Sequence, residues 1–339
     1  MLKSRLLFTG ALFVAAQFAL PNGAQAADAP RVVASIKPIH SIAAAIMEGV
    51  GEPDLLVKGA ASPHTYSLRP SEASALQNAD LVIYVSPELE AFLSKPLASL
   101  SGNAKILELA EADGISTLAM REGGAWEAHH HGDEDAHDDD DEEHDDHDHD
   151  TAHDDDHNHD HDPEHHHDEG DPHIWMSPEN GKAIARDITE ELAEIDPTHA
   201  DFYRANLKSL LGKIDATKDD LVNRISAVRQ KPFIVFHDAY QYLEHSFDLQ
   251  AVGSITISPD RKPGAKRLHD IEEKIKSSGA SCVFAEPQFK PALVQSIVAD
   301  TGARIGTLDP LGANIDAGPD AYTDILSQNI DALASCLKG

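Results

Sequence analysis

The chain has 339 residues and a formal net charge of -32, and no basic stripe of the kind that binds nucleic acid runs through it. The charge is unevenly spread. Residues 129–171 hold 22 of the 59 acidic residues and none of the 27 Lys and Arg, so the rest of the chain is only modestly acidic.

Residues 1–26 read as a secretory signal peptide. Lys3 and Arg5 open it, Leu6 to Leu20 is mostly apolar, and Ala24-Gln25-Ala26 supplies small residues for cleavage. Export to the periplasm is the expectation. No later stretch has the apolar length of a membrane span, and the length that remains suits roughly two domains.

Next come alternating short strands and helices. Arg31 to Ile36 is a β-branched strand, Ile39 to Glu48 a helix ended by Gly49 and Gly51, and Asp54 to Lys58 a strand. Ser71 to Asn78 reads as a short helix, Asp80 to Val85 as a strand buried on both faces, and Lys105 to Leu109 as another strand. From 127 to 170 the composition collapses into His, Asp and Glu, which cannot fill a core, and a disordered insertion in the N-terminal lobe (27–195) is expected.

Glu179 to Ile195 reads as a helix. A long amphipathic stretch over 196–230 follows, with Pro197 in its first turn and Phe202, Leu207, Leu210, Leu211, Ile214, Leu221, Val222 and Ile225 near helical spacing. It is long enough to be a rigid strut between two α/β halves. In the C-terminal lobe (231–339), strands are predicted at Phe233 to Phe236, Gln250 to Ile255, Cys282 to Ala285 and Arg304 to Leu308. Helices are predicted from Asp238, over Gly264 to Ser277, over Pro291 to Asp300 and from Ala321 to Leu337. The pattern defines an α/β fold with parallel sheets. In an exported chain, Cys282 and Cys336 are expected to form a disulfide, two free thiols being the alternative.

Fourteen of the 21 histidines lie in the insertion, among them His129, His130, His131, His144, His147, His149, His157, His159, His161, His165, His166 and His167. Such a tract binds metal through many transient coordination sets, and the carboxylates around it concentrate cations. Outside it, three of the seven remaining histidines share a context. His64 lies in a loop after a strand, His173 just before a helix, and His237 at the end of a strand. Ligands of open α/β sheets bind beyond the carboxyl ends of strands, so these three could converge on one cleft. Three imidazoles suit tetrahedral Zn²⁺.

Five segments occur in order: Ser62-Pro63-His64-Thr65-Tyr66-Ser67-Leu68-Arg69-Pro70, Asp171-Pro172-His173-Ile174-Trp175, Phe236-His237-Asp238-Ala239-Tyr240, Phe284-Ala285-Glu286-Pro287-Gln288-Phe289 and Thr307-Leu308-Asp309-Pro310-Leu311. Together they resemble the metal-binding solute receptors of bacterial ABC importers, and within them the ZnuA-like zinc branch. The resemblance spans about Val32 to Leu337. It implies two Rossmann-like lobes joined by one long helix, metal in the cleft between them, and His64, His173 and His237 as ligands. It also implies a membrane permease as partner for a monomeric receptor, and Cys282 with Cys336 matches the zinc branch's disulfide pair. Manganese relatives carry a carboxylate at the position of His237, so His237 favours zinc. Some zinc receptors have a glutamate where this chain has Pro63. The fourth ligand is therefore open between water, Asp309 and a histidine of the insertion, with water or Asp309 preferred. Glu286 and Arg69 read as structural or supporting residues.

Three other functions remain in view. A manganese receptor would share the fold. A periplasmic zinc buffer without a transporter would use the same ligands. A zinc hydrolase would want a general base beside the metal, as in an HExxH helix, and no such motif occurs.

Overall fold

The computed structural model describes residues 29–100, 102, 104–121, 126, 170–256 and 263–339. The predicted signal peptide and nearly all of the histidine-rich stretch lie outside the described residues, as do all the insertion histidines named above.

The N-terminal half runs β1 (Val32–Ala34), α1 (Lys37–Ile46), β2 (Asp54–Leu55), α2 (Pro70–Asn78), β3 (Leu81–Tyr84), α3 (Ser94–Leu100) and β4 (Lys105–Glu108). Its four parallel strands lie in the order β2-β1-β3-β4. The helices α4 (Pro178–Ile195) and α5 (Ala200–Ile225) follow. The C-terminal half runs β5 (Pro232–His237), α6 (Gln241–Phe247), β6 (Gln250–Thr256), α7 (Ala265–Ser278), β7 (Cys282–Ala285), α8 (Ala292–Val298), β8 (Arg304–Thr307) and α9 (Ala321–Lys338). Its strands repeat the same parallel order, β6-β5-β7-β8. In each sheet the chain turns back beside its first strand, and the crevice outside the carboxyl ends there is where such folds bind ligands.

Strand residues β1, β3 and β7 are buried throughout, as expected for parallel strands covered on both faces. One apolar cluster runs from β1 and β3 through α1, α4, α5 and α9 to Phe233 of β5 and Phe284 of β7, so the two halves share a continuous core.

The helix α5 is 26 residues long and packs against α1, α4 and α9. It begins at Ala200, so Pro197 lies in the turn before it and not in its first turn. Its buried face is Tyr203, Leu210, Ile214, Leu221 and Ile225, an alternation of seven and four residues. Phe202 (58% exposed) and Val222 (39%) fall off that stripe, contrary to the sequence reading. The α3 helix was not anticipated: Ser94–Leu100 buries no side chain, so it carries no apolar stripe to read. After β5 the chain spends Asp238 to Tyr240 on a turn, and α6 starts three residues later than the sequence indicated.

Cys282 in β7 and Cys336 in α9 form a disulfide across 54 residues of sequence. No helix of the described residues is long and apolar enough to cross a membrane.

Candidate metal centre

His64 lies in a single 3-10 turn, Pro63–Thr65, on the connection after β2. His173 opens the 3-10 turn Ile174–Met176 that leads into α4, and His237 is the last residue of β5. The three come from distant parts of the chain, yet one ligand atom of each lies within 4.8 Å of the others. His173 and His237 are buried and His64 is half-buried.

Two of the imidazoles are oriented by buried carboxylates. His173 Nδ1 lies 2.7 Å from Asp171 Oδ1, which also accepts the His173 backbone N–H at 3.0 Å. His237 Nδ1 lies 2.6 Å from Glu286 Oε1, and Glu286 follows β7 directly, so this pair closes the crevice between β5 and β7. An ionised carboxylate only accepts, so Nδ1 carries the proton in both rings and Nε2 keeps its lone pair for a metal.

The two Nε2 atoms face each other at 3.4 Å. Two nitrogens bound to a tetrahedral zinc, each at about 2.0–2.1 Å, lie about 3.4 Å apart. With both lone pairs pointing into the gap, only a cation or a proton between them relieves the repulsion. The ring of His64 lies beside this pair, its centroid 5.7 Å from that of His173 and 5.8 Å from that of His237.

Loss of solvent, followed by the neighbouring His173 and His237, pushes the His64 imidazole well below its ordinary pKa. A neutral imidazole is the form able to bind a metal. Burial works to lower His237 too, but the charge and hydrogen bond of Glu286 outweigh it and raise the pKa. The same carboxylate makes Nε2 a more basic ligand. Replacing Glu286→Gln removes that charge at nearly constant volume. Zinc affinity is expected to fall about tenfold, the lower end for an outer-shell partner. A chelator-competition titration in which the variant matches the parent would contradict the assignment.

Asp309 does not join the cluster. Its Oδ1 accepts from Leu311 N–H at 3.1 Å and Gln288 Nε2 at 2.9 Å, and its Oδ2 accepts from Ala313 N–H at 2.5 Å. Asn329 of α9 further clamps its backbone, with N–H to Oδ1 at 2.8 Å and Nδ2 to O at 2.8 Å. The carboxylate thus organises the 309–313 loop, whose Pro310 and Leu311 line the cavity around the histidines. Arg69 lies far out in solvent at the start of α2, with its backbone N–H donating to Glu72. Asp171 was not assigned a role from sequence, although its place two residues before His173 is a local signal. Trp175 was also missed. It lines the cavity and donates its Nε1–H to Pro310 O at 2.8 Å, tying the loop of one half to that of the other.

Two parallel α/β lobes, a long helix packed along both, and a cluster of three histidines drawn from distant segments define a solute receptor shaped for a metal ion. The chain belongs to the ZnuA family, zinc-uptake complex component A, periplasmic, whose profile matches residues 32–336. The high-affinity zinc uptake system protein ZnuA of Brucella suis biovar 1 (strain 1330) is 50% identical over 329 residues, 96% of this chain and 98% of the relative. The protein of the same name from Yersinia pestis is 40% identical over 342 residues, 99% and 98% of the two chains. A crystal structure of ZnuA has a TM-score of 0.70 at 25% identity and covers 91% of this chain and 100% of that one. A zinc-bound ZnuA deletion mutant gives 0.69 at 25% identity, with 91% and 98% covered.

Proposed function

We propose that the protein captures Zn²⁺ in the periplasm through Nε2 of His173 and His237 together with His64, and hands it to the membrane permease of an ABC importer. The facing pair of Nε2 atoms carries this reading, because their 3.4 Å separation is that of two ligands on one tetrahedral zinc. The remaining spacings, up to 4.8 Å, close by up to about 1.4 Å when the ion binds. Water fills the fourth position, since both oxygens of Asp309 are engaged elsewhere. An all-nitrogen protein set favours zinc over oxygen-preferring manganese. A receptor role is favoured over hydrolysis because Asp171 and Glu286, the carboxylates at the site, are each committed to an imidazole. The histidine-rich stretch serves as a collector that holds several ions weakly and raises their concentration near the cleft.

The test is a competition titration with Zn²⁺ and Mn²⁺ on the full chain and on a chain lacking residues 127–169, which keeps Gly170 and its bridge to Ala119. One tight zinc per molecule, preferred over manganese, is expected in both, with fewer weakly held ions in the shortened chain. Loss of tight binding on deletion would mean that the stretch supplies a ligand, and manganese preference would overturn the assignment of cargo.

A further inference from the structure

The 3.4 Å gap between His173 and His237 separates two chain segments that belong to different halves of the molecule. Something must hold those segments at that distance before the ion arrives. A closed set of contacts joins Leu118 to Arg121 with Gly170, Asp171 and the start of α6.

Ala119 and Gly170 form an isolated antiparallel bridge, and Asp171 N–H donates to Leu118 O at 2.8 Å. Both chain ends are then fastened to α6, the helix that follows His237. The buried Tyr242 hydroxyl accepts from Leu118 N–H at 3.0 Å and donates to Asp171 O at 2.7 Å. Gln241 Nε2 donates to Ala119 O at 3.2 Å. Arg121 completes the set. Its Nε donates to Asp238 Oδ2 at 2.9 Å and its Nη2 to Asp238 Oδ1, while Nη1 and Nη2 reach the two oxygens of Glu244, each at 2.9 Å. Trp126 covers the guanidinium, with its ring centroid 3.6 Å from Cζ.

Each end of this staple is adjacent to a metal ligand. Asp238 is the next residue after His237, and Asp171 is the carboxylate that orients His173. We propose that Arg121 is a positioning residue for metal capture, which together with Tyr242 fixes His173 against His237 and so slows release of the ion. A fork that engages two carboxylates at once requires arginine, because the ammonium of lysine cannot present two parallel pairs of donors. The contacts are shielded enough to be rigid: the side chains of Arg121, Asp238 and Glu244 are 19%, 14% and 9% exposed.

The inference rests on the three-histidine reading, and the experiment separates the two. Zinc dissociation into excess chelator, the visible spectrum of the Co²⁺-loaded protein and the melting temperature of the metal-free protein would be measured for the parent, Arg121→Met, Arg121→Lys and Tyr242→Phe. Zinc is expected to leave Arg121→Met about tenfold faster, the scale of an outer-shell defect. The Co²⁺ bands should weaken as the tetrahedral geometry relaxes. Arg121→Lys should not restore the parent rate, and Tyr242→Phe should err in the same direction as Arg121→Met. Should Arg121→Met fail to fold through its two unpaired carboxylates, Tyr242→Phe keeps its ring packing and carries the test. A lowered melting temperature with unchanged dissociation and Co²⁺ spectrum would overturn the proposal and leave Arg121 a purely structural residue. A parent protein that binds no zinc tightly would instead overturn the three-histidine reading itself.

Discussion

Changing His64, His173 or His237 to Ala should each weaken the tight zinc site by more than the ~10–100-fold cost of losing an outer-shell partner. His199→Ala and His269→Ala should leave it intact. His199 is engaged instead by Asp196, 2.6 Å from its Nδ1, at the turn between α4 and α5. The three ligand variants should also differ from one another in the absence of metal. His173→Ala and His237→Ala each take the imidazole N–H away from a buried carboxylate, Asp171 or Glu286, while the backbone N–H of the same residue stays bound, a loss of about 1–3 kcal/mol. His64 makes no hydrogen bond through its ring among the described residues, so His64→Ala should lose zinc without lowering the stability of the metal-free protein. Calorimetric titration and thermal melting with and without zinc read both effects. Saturating zinc at about 1,000 times Kd stabilises the parent by about 4 kcal/mol, a gain that all three variants should forfeit. Equal zinc affinity in the five variants would refute the ligand assignment.

Removing the disulfide should be the largest single loss of stability. It joins β7, a strand paired on both sides, to α9, the helix that packs on both α1 and α5. Closing a loop across 54 residues restricts the unfolded chain by about 4 kcal/mol on the chain-entropy account. The double variant Cys282→Ala/Cys336→Ala should therefore unfold at markedly lower denaturant with nearly the parent's native packing. Loosening α9 also relaxes Asn329, which clamps Asp309 and through it the loop at the metal cavity, so a weaker zinc site is a secondary consequence. Denaturant titrations of the variant and of oxidised parent read the difference, and a loss below about 1 kcal/mol would contradict the chain-entropy account.

Most of the regular structure is legible in the sequence because each element carries its own apolar run or period. Cys282–Ala285 is an unbroken apolar run, and the strand is found there with the same bounds. Errors arose where periodicity is weak or the phase is ambiguous. Phe202 and Tyr203 are neighbours on α5, and only the packing of that helix decides that Tyr203 is buried and Phe202 is in solvent. The apolar residue count could not resolve a difference of 100° around the helix axis.

The site divides the same way. The residue types that suit zinc, the strand-end and turn positions of His64, His173 and His237, and two cysteines able to pair are all properties of the chain as written. Only the tertiary structure decided that Nε2 of His173 and Nε2 of His237, 64 residues apart in sequence, face each other at 3.4 Å. It also decided that Glu286 orients the His237 ring while Asp309 is spent on its own loop, though both are carboxylates that follow a strand. Arg121 carried no signal at all in the sequence, because its partners Asp238 and Glu244 lie more than a hundred residues away. Local sequence fixes backbone preference and ligand chemistry, both short-range properties. The distance between two ligand atoms depends on how two sheets and the helices between them pack, and that is a sum over the whole core.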